Sequence, residues 1–289
     1  MVRTRAIELQ SHDDGVNAWR TARVAAPPEL SNHIYGYSDY RERTGGFTTR
    51  RELPHAEGVL IVNLGEPIAI TGGDGGVLRL QAGEAFAAGA HLRPALSHSQ
   101  GTQAGMHVFL PLATLRRLLG TPMDRLANRV VPLDALLGAD ARDLGVRLCE
   151  AKDLDARVAL LDVVLARRLA TTAPLAPQQR HALHLLRTRP GRDISDIARD
   201  IGWSGKHLAS RVKDAVGIGP RCFRRLLRFQ TLTAMIGCHG GAPDWAGLAL
   251  DAGYCDQPHM VREFREFSGM TPGVYRARSL PDGGGLLEA

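Results

Sequence analysis

Lysine is almost missing from this chain. Of its 36 basic residues only Lys152, Lys206 and Lys213 are lysines, and Arg supplies the rest. With abundant Ala and Gly, that bias points to GC-rich coding DNA and says little about mechanism. Cysteine is also scarce. Cys149, Cys222, Cys238 and Cys255 lie far apart and form no CxxC pair, which argues against a disulfide framework or a zinc site and for reduced thiols in the cytosol. No segment is long and apolar enough to span a bilayer, and the opening Met-Val-Arg-Thr-Arg-Ala-Ile-Glu lacks a signal-peptide core. The expected location is therefore cytoplasmic, with no membrane partner. Gly-x-Ser-x-Gly, P-loop and dinucleotide fingerprints are all missing, so no enzyme class and no cofactor is indicated.

The chain has 289 residues and a hydrophobic content of 44%, enough to build a packed core in one large or two ordinary domains. Its net charge of +6 is unevenly spread. Residues 178–280 hold 16 Lys and Arg against 9 Asp and Glu, whereas residues 1–177 hold 20 against 19. A basic excess in one half suits a nucleic-acid-binding module, and also suits a merely solubilising surface.

Residues 1–26 are polar and mixed and read as loosely ordered at the start. Short strand signals follow: Val59-Leu-Ile-Val-Asn-Leu64, Ile68–Thr71, Val77–Leu80, Glu84–Ala88 and Met106–Leu110, with a Gly-rich turn over Gly72–Gly76. They suggest a small barrel or sandwich. After Pro111 the period becomes helical. Leu112, Leu115, Leu118 and Leu119 mark one helix, and Asp155–Ala170 is strongly amphipathic, with Val158, Leu161, Leu165 and Leu169 on one face. That stripe suits packing on the barrel and on a second subunit. Thr171–Pro177, with two prolines, is the linker candidate.

Beyond the linker the chain reads as helical throughout. Leu248–Arg276 forms a short helix, a turn at Gly253, and a second helix whose Met260, Phe264 and Phe267 make one apolar stripe. Its other face carries Gln257, Val261, Arg262 and Arg265, the layout of a helix-turn-helix reading head. Asp193–Gly217 repeats this plan. Its turn is at Gly202, Ser204 is the capping residue, Leu208, Val212 and Val216 face inward, and Lys206, Ala209, Ser210 and Lys213 face outward. A helix over about Arg221–Ile236 joins the two units, and Gly240-Gly241 separates it from the second. Both units close with Gly-x-x-Pro, at Gly217–Pro220 and Gly269–Pro272.

Residues 178–280 resemble the C-terminal DNA-binding domain of AraC/XylS-type transcriptional regulators. The words that carry the resemblance are Asp196-Ile-Ala198, Gly202-Trp203-Ser204 and Leu208 in the first unit. In the second they are Ala249, Gly253-Tyr254, Gln257-Pro-His259, Arg262-Glu-Phe-Arg265, Gly269-Met-Thr-Pro272 and Tyr275-Arg276. Val59–Leu64, Pro111-Leu112 and Arg129–Asp134 look more loosely like the cupin-like sensor halves of such proteins. Two departures stand out. Gly205 follows the capping Ser where the family often has Pro, and Cys255 stands where it usually has Ser, so the second cap falls to Asp256 or is weaker.

The resemblance implies an α+β chain in four parts: a cupin-like sensor and dimerisation domain over 1–170, a linker over 171–177, a DNA-binding domain over 178–280 and a flexible tail over 281–289. It implies a non-enzymatic transcription regulator, an activator in our reading. Its partners would be double-stranded DNA, RNA polymerase, a small-molecule effector in the barrel and a second copy of the chain. Lys206, Ala209 and Ser210 would meet base edges from the first recognition helix, with Lys213 nearer phosphate. Gln257, Val261 and Arg262 would meet base edges from the second, with His259 and Arg265 at or near phosphate. Arg262 is the strongest of these candidates, and the bland alternative for each is a solvated helix residue.

Other readings stay open. The barrel could bind no small molecule, leaving a constitutive or protein-triggered regulator. Tyr35, Tyr37, Tyr40 and Phe47 are candidates for lining a pocket and equally for core packing. A metal-dependent cupin enzyme fused to DNA-binding helices would want a His-x-His pair. Yet His33, His55, His91, His98 and His107 are scattered, so no metal is expected. Cys255, at a helix start, would suit thiol sensing.

Overall fold

The computed structural model describes residues 5–238, 243–279 and 286. The Gly240-Gly241 break and the tail over 281–289, apart from Leu286, lie outside the described residues. The N-terminal half is a pair of antiparallel sheets. The larger has the order β1 (Ile7–Asp13), β2 (Ala18–Ala25), β3 (Gly36–Arg43), β10 (Thr102–Pro111), β5 (Glu57–Asn63), β8 (Ala85–Ala88), β11 (Val130–Pro132). The smaller has the order β4 (Thr48–Glu52), β9 (Ala95–Ser99), β6 (Ile68–Thr71), β7 (Val77–Leu80). Residues 7–25 are therefore not loose: β1 pairs with β2 along its whole length, from Ile7 opposite Val24 to Asp13 opposite Ala18.

The apolar run in β5 reads as a strand buried on both faces, and it is one. Side chains alternate across a strand. Val59 and Ile61 face the smaller sheet, while Leu60 and Val62 join the main core under the helices. On β10, Phe109 faces the smaller sheet and Val108 and Leu110 join the main core. Between the sheets lies a cavity of about 380 Å3.

Helices cover the outer face of the large sheet. They are α1 (Leu112–Leu119), α2 (Leu133–Leu137), α3 (Ala139–Glu150) and α4 (Leu154–Thr171), with a 3-10 turn at Met123–Arg125. The stripe Val158, Leu161, Leu165, Leu169 on α4 is buried within the chain, so it is not free to receive a second subunit. Two ties hold α4 to β3: the Tyr37 hydroxyl donates to Asp162 at 2.7 Å, and Arg157 pairs with Asp39 at 2.9 Å. The segment after α4 is packed down rather than slack. Leu175 is buried, and Arg117 donates to the Thr172 carbonyl at 3.0 Å.

The C-terminal half is all α: α5 (Pro177–Thr188), α6 (Ile194–Asp200), α7 (Gly205–Val216), α8 (Pro220–Cys238), α9 (Trp245–Asp251), α10 (Gln257–Ser268) and α11 (Pro272–Arg278). It shares one hydrophobic cluster with α1 and the large sheet. The seam carries polar clasps as well. Arg116 of α1 pairs with Asp214 of α7 at 2.8 Å, and Arg187 donates to the Ala56 carbonyl at 3.1 Å. The Ala56 amide donates to Gln230 at 3.2 Å, and Arg51 donates to the Ser268 carbonyl at 3.1 Å.

The seam can be probed through its glycines. Gly217 closes α7 at φ 87°, and a Cβ there would sit 2.7 Å from the Met123 carbonyl oxygen across the seam. Gly202, at φ 76°, has open space around it. Gly202→Ala should cost only the backbone term of about 1–2 kcal/mol. Gly217→Ala should add roughly 1–3 kcal/mol for the displaced seam. Urea unfolding of both variants checks this, and equal losses would mean the seam does not form.

The buried histidines make stability depend on pH. Burial holds His91 and His107 neutral, each with its pKa pushed down to about 4. Unfolded histidine titrates at about 6.5. Below that pH the unfolded chain takes up protons that the folded chain does not. Stability should therefore fall as pH drops from ~6.5 towards ~4, by a few kcal/mol at the order-of-magnitude level, and stay level above. Replacing both by Phe should flatten that part of the pH profile. An unchanged slope between wild type and variant would show that these rings are not the cause.

Candidate nucleic-acid interface and effector cavity

The two helix-turn-helix units are built alike, residue by residue. In the first, Asp193 caps α6 by accepting the Ser195 amide at 2.6 Å. The chain reverses at Gly202, and the Trp203 amide donates back to Ala198 at 2.8 Å. Ser204 then caps α7, accepting from His207 at 3.1 Å. In the second, Asp244 caps α9, Gly253 turns the chain at φ 86°, and the Tyr254 amide donates to Ala249, again at 2.8 Å. Asp256, not Cys255, caps α10, accepting the His259 amide at 2.7 Å. These caps satisfy amides that the first turn of a helix leaves unpaired.

α7 and α10 each run 12 residues and end at a left-handed Gly. Because the second cap lies one residue further past its turn, the two helices can be aligned cap to cap. Ala209 then matches Val261, Ser210 matches Arg262, and Lys213 matches Arg265. Lys206 falls opposite Pro258, and Gln257 opposite Gly205, so these two side chains are specific to their own units.

The inward stripes are buried as the spacing predicts: Leu208, Val212 and Val216 on α7, and Met260, Phe264 and Phe267 on α10. Of the candidate DNA contacts, Lys206, Ser210, Lys213, Gln257, Arg262 and Arg265 are exposed, and Ala209, Val261 and His259 are half-buried. Gln257, Val261, Arg262 and Arg265 line one open depression on α10. Ala209 lies in another, rimmed by Arg192, Arg221 and Arg224. The sequence reading missed those three arginines. Arg221 directly follows the Gly-x-x-Pro stop, and that placement was the available signal.

Two candidates are less free than expected. Lys213 lies 3.9 Å from Asp124 in the 3-10 turn of the N-terminal half. His259 packs edge-on against Tyr254, and its Nε2 is 3.9 Å from Glu263.

α10 is locked to α8 by a largely buried ion cluster. Glu263 accepts from Arg225 at 2.7 Å and from Arg228 at 3.1 Å. Arg225 also lies over Phe267, and Arg228 over Tyr254. Hydrogen-bonded, paired charges of this kind hold orientation, because losing one partner strands the other away from water. The helix that carries Arg262, one position before Glu263, is thereby held against α8.

The cavity draws its lining from both sheets. Its apolar lining includes Val59, Ile61, Ile70, Phe86 and Phe109. Interleaved with these are the polar side chains of Ser38, Tyr40, His91, Gln103 and His107. Of the four aromatic candidates only Tyr40 lines it. Tyr37, three residues before Tyr40 on β3, points to the opposite face and sits in the main core, while Tyr35 and Phe47 lie just outside the strands and are exposed. Among the described residues no three His, Cys, Asp or Glu side chains come together as a metal site. His98, for example, is held by Thr49 at 3.0 Å and Thr71 at 3.2 Å. No helix among the described residues is long and apolar enough to cross a membrane.

Comparison with known proteins bears on both halves. A family model described as a helix-turn-helix domain matches residues 197–278. No curated protein sequence matches the chain. Among solved structures, ToxT from Vibrio cholerae aligns with a TM-score of 0.51 at 8% identity, over 83% of this chain and 97% of its own. ToxT from Vibrio cholerae O395, bound to (E)-4-(8-methylnaphthalen-1-yl)but-3-enoic acid, aligns at 0.50 with 10% identity, over 83% and 97%. The AraC-like transcriptional activator CuxR aligns at 0.32 with 15% identity, over 76% and 85%. At these identities the ToxT likeness is one of fold, and it spans both halves. Residues 197–278 are thus matched as a helix-turn-helix domain, carried at the end of a chain that folds like ToxT.

Proposed function

We propose that this chain is a DNA-binding transcriptional regulator of the AraC/XylS type, which reads a specific DNA sequence with α7 and α10, each laid in a major groove on one face of the duplex. The observation that carries the reading is the matched outward faces of the two helices, Ala209–Ser210–Lys213 and Val261–Arg262–Arg265, on units joined by one helix. At 19 residues α8 spans about 28 Å, close to the roughly 34 Å between successive major grooves. Arg262 would take guanine O6 and N7 together, and Gln257 would take adenine. Lys206 and Ser210 would add base-edge contacts from α7. Ala209 and Val261 would lie against thymine methyl groups or leave them room. Lys213, Arg265 and His259 would approach phosphate, with Arg221 as a further candidate. Lys213 would have to leave Asp124 to do so.

The barrel would take a small-molecule effector. The cavity supports this, as does the likeness in fold to ToxT, which has been crystallised with a butenoic acid derivative. The domain limits 1–170, 171–177 and 178–280 serve as the working division. The protein would act as a homodimeric activator in the cytoplasm, working with RNA polymerase. With the α4 stripe buried, the second copy would meet another surface. The open edge of β1, where Ile7 and Leu9 are exposed, is the candidate.

Selection from a pool of genomic fragments tests the reading. Wild type should enrich one motif, with binding that weakens steeply as salt rises, because phosphate contacts release counterions. Arg262→Ala should keep its helical content and lose roughly 1–3 kcal/mol of discrimination at one base pair. Equal preference and equal affinity in the variant would overturn the assignment.

A further inference from the structure

Among the described residues the two sheets have four edges, and three of them are short or covered. β7 and β11, four and three residues long, meet where the sheets close together. β4 carries Leu286 on its outer side, where the Leu286 carbonyl accepts the Arg51 amide at 2.8 Å. β1 is different. It runs seven residues, contains neither Lys nor Pro, and keeps an unbroken register with β2. No strand among the described residues pairs with its outer side. An open edge is a template for another strand, and proteins usually blunt it with lysine, proline, a bulge or a covering segment.

The register shows which backbone groups of β1 point outward. The Asp14 amide donates to the Asn17 carbonyl at 3.1 Å, so residues 14 and 17 are a hydrogen-bonded pair at the hairpin end. Bonded and non-bonded pairs alternate along an antiparallel ladder. Glu8, Gln10 and His12 therefore bond to β2, while Ile7, Leu9, Ser11 and Asp13 aim their N–H and C=O groups away from it. The far side of the sheet gives the same alternation. The Thr44 amide donates to the Gly101 carbonyl at 2.6 Å, and counting from that pair through β3 and β2 leads to the same β1 residues.

We infer that β1 pairs antiparallel with β1 of a second copy, about a two-fold axis at Gln10, so that the large sheet runs on through both copies. The inference rests on the proposal of a homodimer and names the pairing that makes it. This register uses the whole strand and sets outward groups against outward groups: Ile7 meets Asp13 of the second copy, and Leu9 meets Ser11. A slip of one residue would set outward groups against inward ones and form no ladder. An interface of this symmetry must be self-complementary, and β1 is. Glu8 falls opposite His12 of the second copy, so an acid meets a base on each side of the axis. Gln10 meets Gln10, and an amide both donates and accepts. Leu9, 59% exposed although it lies opposite buried Ala22, is diagonal to its own copy and within its reach.

The test is sedimentation velocity of the full chain over a concentration series, with circular dichroism as the check on folding. Wild type should be a dimer. Ser11→Pro removes an outward N–H that the single chain does not use, at an edge where proline is tolerated. It should keep its secondary structure and raise the dimer dissociation constant at least about tenfold. Leu9→Lys keeps every backbone group and brings a like charge from each copy to the axis, with a similar loss of about tenfold. It decides alone should Ser11→Pro fail to fold. Gln10→Cys reads the register. Across a non-bonded pair the Cα atoms lie about 4.5 Å apart, within disulfide range. Mild oxidation should therefore link two copies of this variant on a non-reducing gel, and should not link wild type, whose exposed Cys149 and Cys255 serve as the control. A monomeric wild type would overturn the homodimer itself. A dimer that Leu9→Lys leaves unchanged would overturn the placement at β1 and leave the homodimer standing. A dimer weakened by Leu9→Lys but not linked through Gln10→Cys would overturn the register.

Discussion

The apolar face of α1 has no route to water, and both halves of the protein are arranged around that fact. Leu112, Leu115, Leu118 and Leu119 are all buried, against β5 and β10 on one side and α4 and α7 on the other. Burying a leucine contributes roughly 1.5–3 kcal/mol, so the helix holds its neighbours together more strongly than any exposed ion pair. The seam clasps, Arg116 with Asp214 and Arg187 with Ala56, then set the angle at which the halves meet.

This arrangement gives the cavity and the first reading helix a common wall. Val59, Ile61 and Phe109 face the cavity, while Leu60, Val62, Val108 and Leu110 join the core beneath the helices from the same two strands. A side chain that moves on one face of a pleated strand shifts the backbone that carries the other face. Interiors are close-packed, so such a shift is felt by the neighbours. α1 lies next in that chain of contacts, and α7 after it.

Arginine does two different jobs here. Arg50, Arg116, Arg225 and Arg228 are tied to carboxylates and fix strands and helices in place. Arg262 and Arg265 project from α10 into an open depression, with no such carboxylate tie among the described residues. Composition cannot separate the two groups. Position relative to the buried stripe can: on α10, the spacing of Met260, Phe264 and Phe267 alone places Arg262 and Arg265 on the opposite, outward face.

The sequence by itself determined the paired units, because caps, glycine turns and apolar stripes are local signals. Asp193, Ser204, Gly202, Gly253 and Gly269 act where their residue types predict. It also located β5, β6, β7, β8 and β10, whose apolar residues announce them. It did not reveal β1 to β4 or β9. β3 and β4 turn Ser38, Glu42 and Arg50 inward, towards a polar cavity and a buried ion pair, so the usual alternation is missing. Tertiary structure alone decided what the α4 stripe packs against, since periodicity defines a face and not its partner. It alone put His91 and Gln103 on the lining of one cavity, and Lys213 within reach of Asp124. Those neighbours are far apart in the chain, and only the packing of sheet against sheet and helix against turn brings them together.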